Sequence, residues 1–327
     1  LFNCDFSHQK FFSLYPCNSV KIGDIENSDF IFLLGSYINK EQPIVCLNLN
    51  KAILRGAKIC SFGESFFNYP FKVDFFNVVK NADYISELFF IISFLHKKGV
   101  FIPSSISYLI NEKIISNNYI YDVDFFINTF MNAKSGIFII GMYVYCNLNF
   151  SKILFLVNVL CNIINFKFIL MSYGSNSCGG WISGFVPHRL PWGHESFEVG
   201  YSVSEMFVNN VKNYILFGIE PSFDIYNGNL ILDSLNKADY VVALSVFKCK
   251  DLLLVADLLI PISSSYESSG TFINVFENWQ SFDPVSKSYE NVFPGWKILS
   301  KIGSLFGFSS FDNYTSSFDV LNELYSL

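Results

Sequence analysis

Few residues in this chain have the types and spacing that chemistry needs. His188 and His194 flank Pro191, Trp192 and Gly193, and Glu195 follows; such side chains move protons or bind metals. The two imidazoles stand six positions apart across Gly- and Pro-containing sequence, which matches no helical or strand spacing for paired ligands, so the expectation is a loop with a surface or interface role. The eight cysteines, Cys4, Cys17, Cys46, Cys60, Cys146, Cys161, Cys178 and Cys249, never form C-x-x-C. That spacing builds neither a zinc nor an iron–sulfur site and reads as reduced small hydrophobes in a reducing compartment. The run Ser263 to Ser265 has no local partner to activate a nucleophile, and neither G-x-S-x-G nor H-E-x-x-H occurs. Asp224, Asp233, Asp239, Asp251 and Asp257 are scattered over turns and strand ends, where capping accounts for them. The residue types therefore predict no catalytic and no metal site.

One anion-binding candidate remains. Gly35 closes an apolar run, and a turn at that place can present free backbone N–H groups to a phosphate. The fuller fingerprints, G-x-G-x-x-G and the P-loop with its Lys, are absent. An ordinary strand-to-helix turn is the expectation.

The elements that must position these residues are short apolar runs ending in Gly or a turn, at 29–36, 57–63, 136–142, 213–219 and 239–245. None alternates with polar residues, which predicts strands buried on both faces, as in a parallel sheet covered by helices. Mixed segments at 45–55 and 78–98 have room for crossover helices, so the class is α/β. The stretch 172–193 breaks the rhythm with Gly and Pro and reads as a loop, and 296–306 has helical spacing. A boundary near residue 205 gives a first α/β domain at 1–205 and a second at 206–327.

A length of 327 residues with 51% hydrophobic content predicts about two domains. A net charge of -6 leaves no basic footprint for a nucleic-acid backbone, which excludes that class of partner. Phe, at 38 residues, is roughly threefold its usual share, as A- and T-rich organellar codon usage would produce. The mean hydropathy of +0.34 raises the question of a membrane span at 153–171. Asn158, Asn162 and Asn165 share one helical face there and Lys167 interrupts the run, so an amphipathic helix followed by a short buried strand is expected instead.

The block 256–280 carries more specific information: an apolar strand runs into Pro261, a Ser cluster leads to Glu267, and Gly270-Thr271 precedes Phe272, Ile273 and Asn274. This layout resembles the molybdopterin oxidoreductase superfamily, and within it the large iron–sulfur subunit of respiratory complex I. The likeness extends to 28–63, with Pro43, Asn48, Asn50, Lys51 and Lys58 in fitting places, to the loop ending in Gly184-Phe185-Val186-Pro187, and to the run before Pro221. It implies two Rossmann-like parallel-sheet domains of molybdopterin-oxidoreductase type, of which the second, at 206–327, is incomplete.

Departures from the cofactor-binding members are informative as well. Where those carry Asn-Pro after the strand-end Gly, Tyr37 and Ile38 stand here, so the expectation is a vestigial crevice near Gly35, Tyr37 and Ile38 that binds no cofactor. Where the family has Glu-Gly-Arg, this chain has Phe276, Glu277 and Asn278, losing a guanidinium suited to phosphate. The resemblance thus implies a structural component of the peripheral (matrix) arm of mitochondrial complex I, on the matrix side of the inner membrane and without a span of its own. Its partners would be other peripheral-arm subunits, above all the N-terminal part of the same subunit, which would carry the iron–sulfur clusters. The start at Leu1 fits the C-terminal half of a split, organelle-encoded subunit. Alternative readings are an active molybdopterin-dependent oxidoreductase fragment and a degenerate nucleotide-binding module, since open α/β sheets offer a crevice at their strand ends.

Overall fold

The computed structural model describes residue 7 and residues 20–103, 123–172, 174–209 and 211–327. Contacts divide the chain into two units, one extending to Cys178 and including Asn274–Asn278, the other made of Gly179–Ile273 and Trp279–Leu327. The change of rhythm in the sequence lies near residue 205.

In the first unit β1 (Phe30–Leu34), β2 (Lys58–Gly63), β3 (Phe75–Val78), β4 (Gly136–Ile140) and β5 (Lys167–Leu170) form one parallel sheet in the order β3-β2-β1-β4-β5. The chain winds one way from β1 and the other way through β4, so the strand order reverses between β1 and β4. Every residue of β1 and β4 is buried, as the unbroken apolar runs require. Alternate side chains point to opposite faces. Phe30, Phe32, Phe62 and Phe138 meet the helices Tyr84–Lys97, Val123–Asn132 and Phe150–Ile164 on one side. Ile31, Leu33, Ile59 and Ile139 meet the helix Pro43–Leu54 on the other. The Phe-rich composition has a structural use on the first face, where Phe32 lies edge-on to Phe62 at 4.9 Å and to Phe138 at 4.8 Å.

An aspartate before a strand recurs as a register device. Asp74 Oδ2 accepts from Ile59 N at 3.0 Å, and both Asp29 oxygens accept from the main chain ahead of β4, at Lys134 and Ser135. The apolar stretch 153–171 falls in the helix Phe150–Ile164 followed by β5. Asn165 is not on that helix's face: it is the C-cap, at φ 56 in the left-handed region that Asn tolerates. No helix among the described residues is long and apolar enough to cross a membrane.

In the second unit β6 (Asn213–Phe217), β7 (Tyr240–Ser245) and β8 (Leu258–Pro261) form a parallel three-stranded sheet in sequence order. Asp257 Oδ2 accepts from Val241 N at 2.7 Å, the same device again. Here the expectation of strands buried on both faces fails, because β6 alternates between exposed and buried residues. Its inward side chains, Tyr214 and Leu216, join Val241, Ala243 and Leu259 under the helices Gly228–Asn236 and Lys250–Val255. Its outward ones, Ile215 and Phe217, are exposed.

The stretch 172–193 is not loop throughout, since Ser177–Ile182 is helical. The motif block folds into β8, the strand expected before Pro261, and into the antiparallel hairpin β9 (Gly270–Ile273) and β10 (Trp279–Phe282). The tail helix spans Gly295–Leu305. Strand β3 is hidden in the sequence, because the apolar run Phe75–Val78 adjoins residues that continue into a helix and so carries no boundary of its own.

Candidate functional site

An open α/β sheet binds ligands outside the carboxyl ends of its strands, where the strand order reverses. In the five-stranded sheet that point lies after β1 and β4, and it contains the predicted Gly35, Tyr37 and Ile38. Gly35 sits at φ 58, and a Cβ there would come within 2.5 Å of Val144 Cγ2, so only Gly fits. Gly35 N donates to Phe62 O at 2.7 Å and Gly35 O accepts from Tyr143 N at 3.1 Å, which binds the turn to β2 and to the short helix Met142–Tyr145 that follows β4. Tyr37 lies flat on Phe67, with centroids 4.8 Å apart and planes at 13°. Phe67 in turn contacts Tyr143 at 5.3 Å. Ile38 is fully buried and packs with Ile31 and Leu33 instead of lining the crevice.

The residue that organises this point is Glu41, which no sequence motif singles out. It closes the short helix Ile38–Glu41. Its Oε1 accepts from Tyr37 N at 2.7 Å, while Oε2 accepts from Met142 N and from Ser36 Oγ, each at 3.2 Å. One carboxylate thus joins the backbone donors that follow β1 to those that follow β4. Burial pushes its carboxyl up from the ordinary value, against the opposing pull of the two N–H donors and the Ser36 hydroxyl. A Glu six residues beyond the strand-end Gly35 is the one available signal, and it is faint because the partners are main-chain groups.

Around Glu41 stand further polar groups with depressed acidity. Tyr69 donates to Ser36 O at 2.7 Å and lies 3.0 Å from Ser61 Oγ. Burial, then the Glu64 carboxylate, raises the Tyr84 hydroxyl well above its ordinary range. Tyr84 Oη and Glu64 Oε1 are buried without a hydrogen-bond partner among the described residues. Among the described cysteines, burial, with Asp74 adding to it, raises the Cys60 thiol, and burial alone raises Cys161, so neither ionises near neutrality. Cys4 and Cys17 lie outside the described residues.

The His188–His194 loop does not gather ligands. His194 and Glu195 are exposed, while the buried Arg189 pairs with Glu195 at 3.6 Å. Trp192, at φ 60, donates from Nε1 to Leu324 O at 2.7 Å and lies beside Trp279. Among the described residues no three His, Cys, Asp or Glu side chains come together as metal ligands. In the hairpin loop, Asn274 Oδ1 accepts from Phe276 N and Asn278 N, and Phe276 packs against the core of the first unit. Glu277 takes φ 63, at the position where the resembling family carries Gly.

A parallel sheet whose strand order reverses at its centre defines the doubly wound, open α/β class of fold. Residues 110–305 match the molybdopterin oxidoreductase family, and the chain belongs to it. It is 30% identical over 145 residues to the assimilatory nitrate reductase catalytic subunit of Bacillus subtilis, covering 41% of this chain and 20% of that protein. It is 24% identical over 303 residues to a subunit of the NADH-quinone oxidoreductase of Buchnera aphidicola, covering 84% and 32% respectively. A third relative is the alpha subunit of the F420-dependent formate dehydrogenase 1 of Methanococcus maripaludis, 21% identical with 93% and 51% covered. The chain therefore spans between a fifth and about half of the length of these relatives. The solved acetylene hydratase of Pelobacter acetylenicus shares the fold, with a TM-score of 0.65 at 9% identity over 96% of this chain and 54% of that one.

Proposed function

We propose that this chain is a cofactor-free scaffold of the family, serving in the peripheral arm of a complex I-type NADH:quinone oxidoreductase. The observation that carries the cofactor-free part is Glu41. Its carboxylate takes the N–H groups of Tyr37 and Met142, the donors that an anionic pterin nucleotide would need at a strand-order reversal. An incoming phosphate would meet a negative charge there, with the stacked rings of Tyr37 and Phe67 alongside. These residues do not fit the cofactor, and no chemical step is assigned to it.

The likeness to the Buchnera NADH-quinone oxidoreductase component across 84% of the chain supports the assembly. The partners would be other peripheral-arm subunits, and the iron–sulfur clusters would reside in the N-terminal part of the subunit. A mitochondrial location on the matrix side belongs to the same reading. The enzyme reading draws on the likeness to a nitrate reductase and a formate dehydrogenase. Elemental and pterin analysis of the assembly containing the chain separates the two. The scaffold reading expects molybdenum and tungsten far below one per chain, together with comigration with NADH:quinone oxidoreductase activity. One metal and a pterin per chain would overturn it.

A further inference from the structure

Three parallel strands of the first unit end on glycine around one point. Gly35 follows β1, Gly63 closes β2 and Gly141 follows β4. A Cβ on these would strike Val144, Phe67 and Ser36 respectively, so the main chain is drawn in and side chains from other elements surround the point. Tyr84, at the start of the helix Tyr84–Lys97, is fully buried, and its hydroxyl lies 3.0 Å from the place a Gly35 Cβ would take. Glu64 leaves β2 directly after Gly63. Tyr84 Oη and Glu64 Oε1 are both buried, and neither has a hydrogen-bond partner among the described residues. A buried polar group left unpaired costs about 1–3 kcal/mol, so the two together call for an occupant.

The charge around the point is of one sign. Burial first, then the charges of Glu64, Tyr69, Glu41 and Tyr143, holds the Tyr84 hydroxyl above its ordinary value, so both carboxylates act on it. Among the described residues no Lys, Arg or His pairs with Glu41 or Glu64. Glu41 is already engaged by Tyr37 N, Met142 N and Ser36 Oγ, which leaves Glu64 as the open acceptor. An anion would meet two carboxylates. A divalent ion would find too few ligands, since no third acidic or imidazole side chain joins them among the described residues. A water would bridge the two groups and leave the charge uncompensated. The rings alongside, Phe67 with Tyr37 at 4.8 Å and Tyr143 at 5.3 Å, suit a cation that carries apolar carbon.

We propose that this point binds a primary ammonium group. Its N–H groups would donate to Glu64 Oε1 and Tyr84 Oη, and its alkyl chain would lie along the rings of Phe67 and Tyr143 toward solvent. The inference rests on the reading of this crevice as closed to an anionic cofactor.

Titration of the full chain with n-butylammonium chloride, read by calorimetry and by thermal melting, tests it against sodium, potassium and tetramethylammonium chlorides at equal ionic strength. The expected result is saturable binding of n-butylammonium alone, with a raised melting temperature. Glu64→Gln should weaken that binding about tenfold or more, the loss of a hydrogen bond to a charged group, and Tyr84→Phe should weaken it severalfold. Because Tyr84→Phe removes a hydroxyl that has no partner, it should melt no lower than the parent in the absence of amine, which separates a lost ligand from a lost fold. Absence of saturable binding, as a water alone at the point would give, would overturn the proposal. So would equal stabilisation by any of the three control salts, or n-butylammonium binding unchanged in both variants. None of these outcomes alters the molybdenum and pterin content of the assembly, so this proposal and the scaffold reading fail separately.

Discussion

The two parallel sheets of this protein solve the same problem to different extents. The five-stranded sheet reverses its winding, so helices fall on both faces and the central strands β1 and β4 are buried through their length. The three-stranded sheet does not reverse, and Ile215 and Leu258, at the two ends of one register row, remain exposed. Strand composition is similar in both. What differs is the direction of the connections, which alone decides whether a face acquires helices. The reversal also brings the turns after β1 and β4 together at the Glu41 carboxylate, an arrangement that a sheet wound one way does not have.

The sharpest break of this comparison comes from equal truncations on the two sheets. Phe32→Ala removes a fully buried ring that touches Phe62, Phe126 and Phe138 and should cost about 3–5 kcal/mol. Ile215→Ala, on the exposed side of the edge strand β6, should cost less than about 0.5 kcal/mol in the isolated chain. Urea titration followed by amide exchange in each sheet reads both values. A large loss from Ile215→Ala would mean that the bare face is already covered.

Glu41→Ala leaves the Tyr37 and Met142 donors unpaired in a partly buried crevice and should destabilise the first unit by about 2 kcal/mol. The three-stranded sheet has no reversal and so no counterpart to this residue. Another carboxyl in the first unit adds a dependence on pH. Glu87 accepts from Asn77 Nδ2 at 3.4 Å, and burial, with the Asp83 carboxylate second, pushes it up to about 7 from an ordinary 4.5. The folded state therefore binds the proton more tightly than the unfolded chain. Stability from this group is present below 4.5 and is lost as pH rises through about 7. Thermal melts of the Glu87→Gln variant between those limits should show a shallower decline than the parent chain, and an unchanged slope would refute the assignment.

The register aspartates are shared by the two sheets and so probe what the sheets have in common. Asp74→Ala and Asp257→Ala each remove an acceptor from the first N–H groups of a neighbouring strand and should cost about 1–2 kcal/mol. Asp74 loses more, because it also pairs with Lys58 at 3.0 Å. Equal losses, measured in urea, would show that the ion pair adds nothing beyond the main-chain bond.

Much of this was legible in the sequence. The runs at β1, β2, β4, β6 and β7 stand out because strands built for a parallel sheet are apolar on both faces, and Gly35 marks the reversal point because a Cβ does not fit. The same rule misled at β6: Ile215 and Phe217 are apolar like buried residues, and exposure depends on a helix that no residue of β6 encodes. Glu41 was illegible for another reason. Its partners are N–H groups, which every residue but Pro carries, and only the fold brings the turns after β1 and β4 to one carboxylate. Tyr37 and Ile38 were expected together at the crevice. The backbone separates them, with Tyr37 on Phe67 and Ile38 in the core.

The smallest predicted effect is a gain. Glu277 holds φ 63 in the loop Asn274–Asn278, which belongs to the unit with the closed sheet although it follows the open sheet in the chain. A side chain in the left-handed region costs roughly 1–2 kcal/mol relative to Gly, offset in part by the greater freedom of Gly in the unfolded chain. Glu277→Gly should therefore stabilise by about 0.5–1 kcal/mol. Because Phe276 packs with the core of the closed sheet, the gain should be seen as slower amide exchange around β1 and β4, with β6–β8 unchanged. Equal slowing in both sheets would show that the units unfold as one, and the contrast between them would then describe their architecture and not their stability.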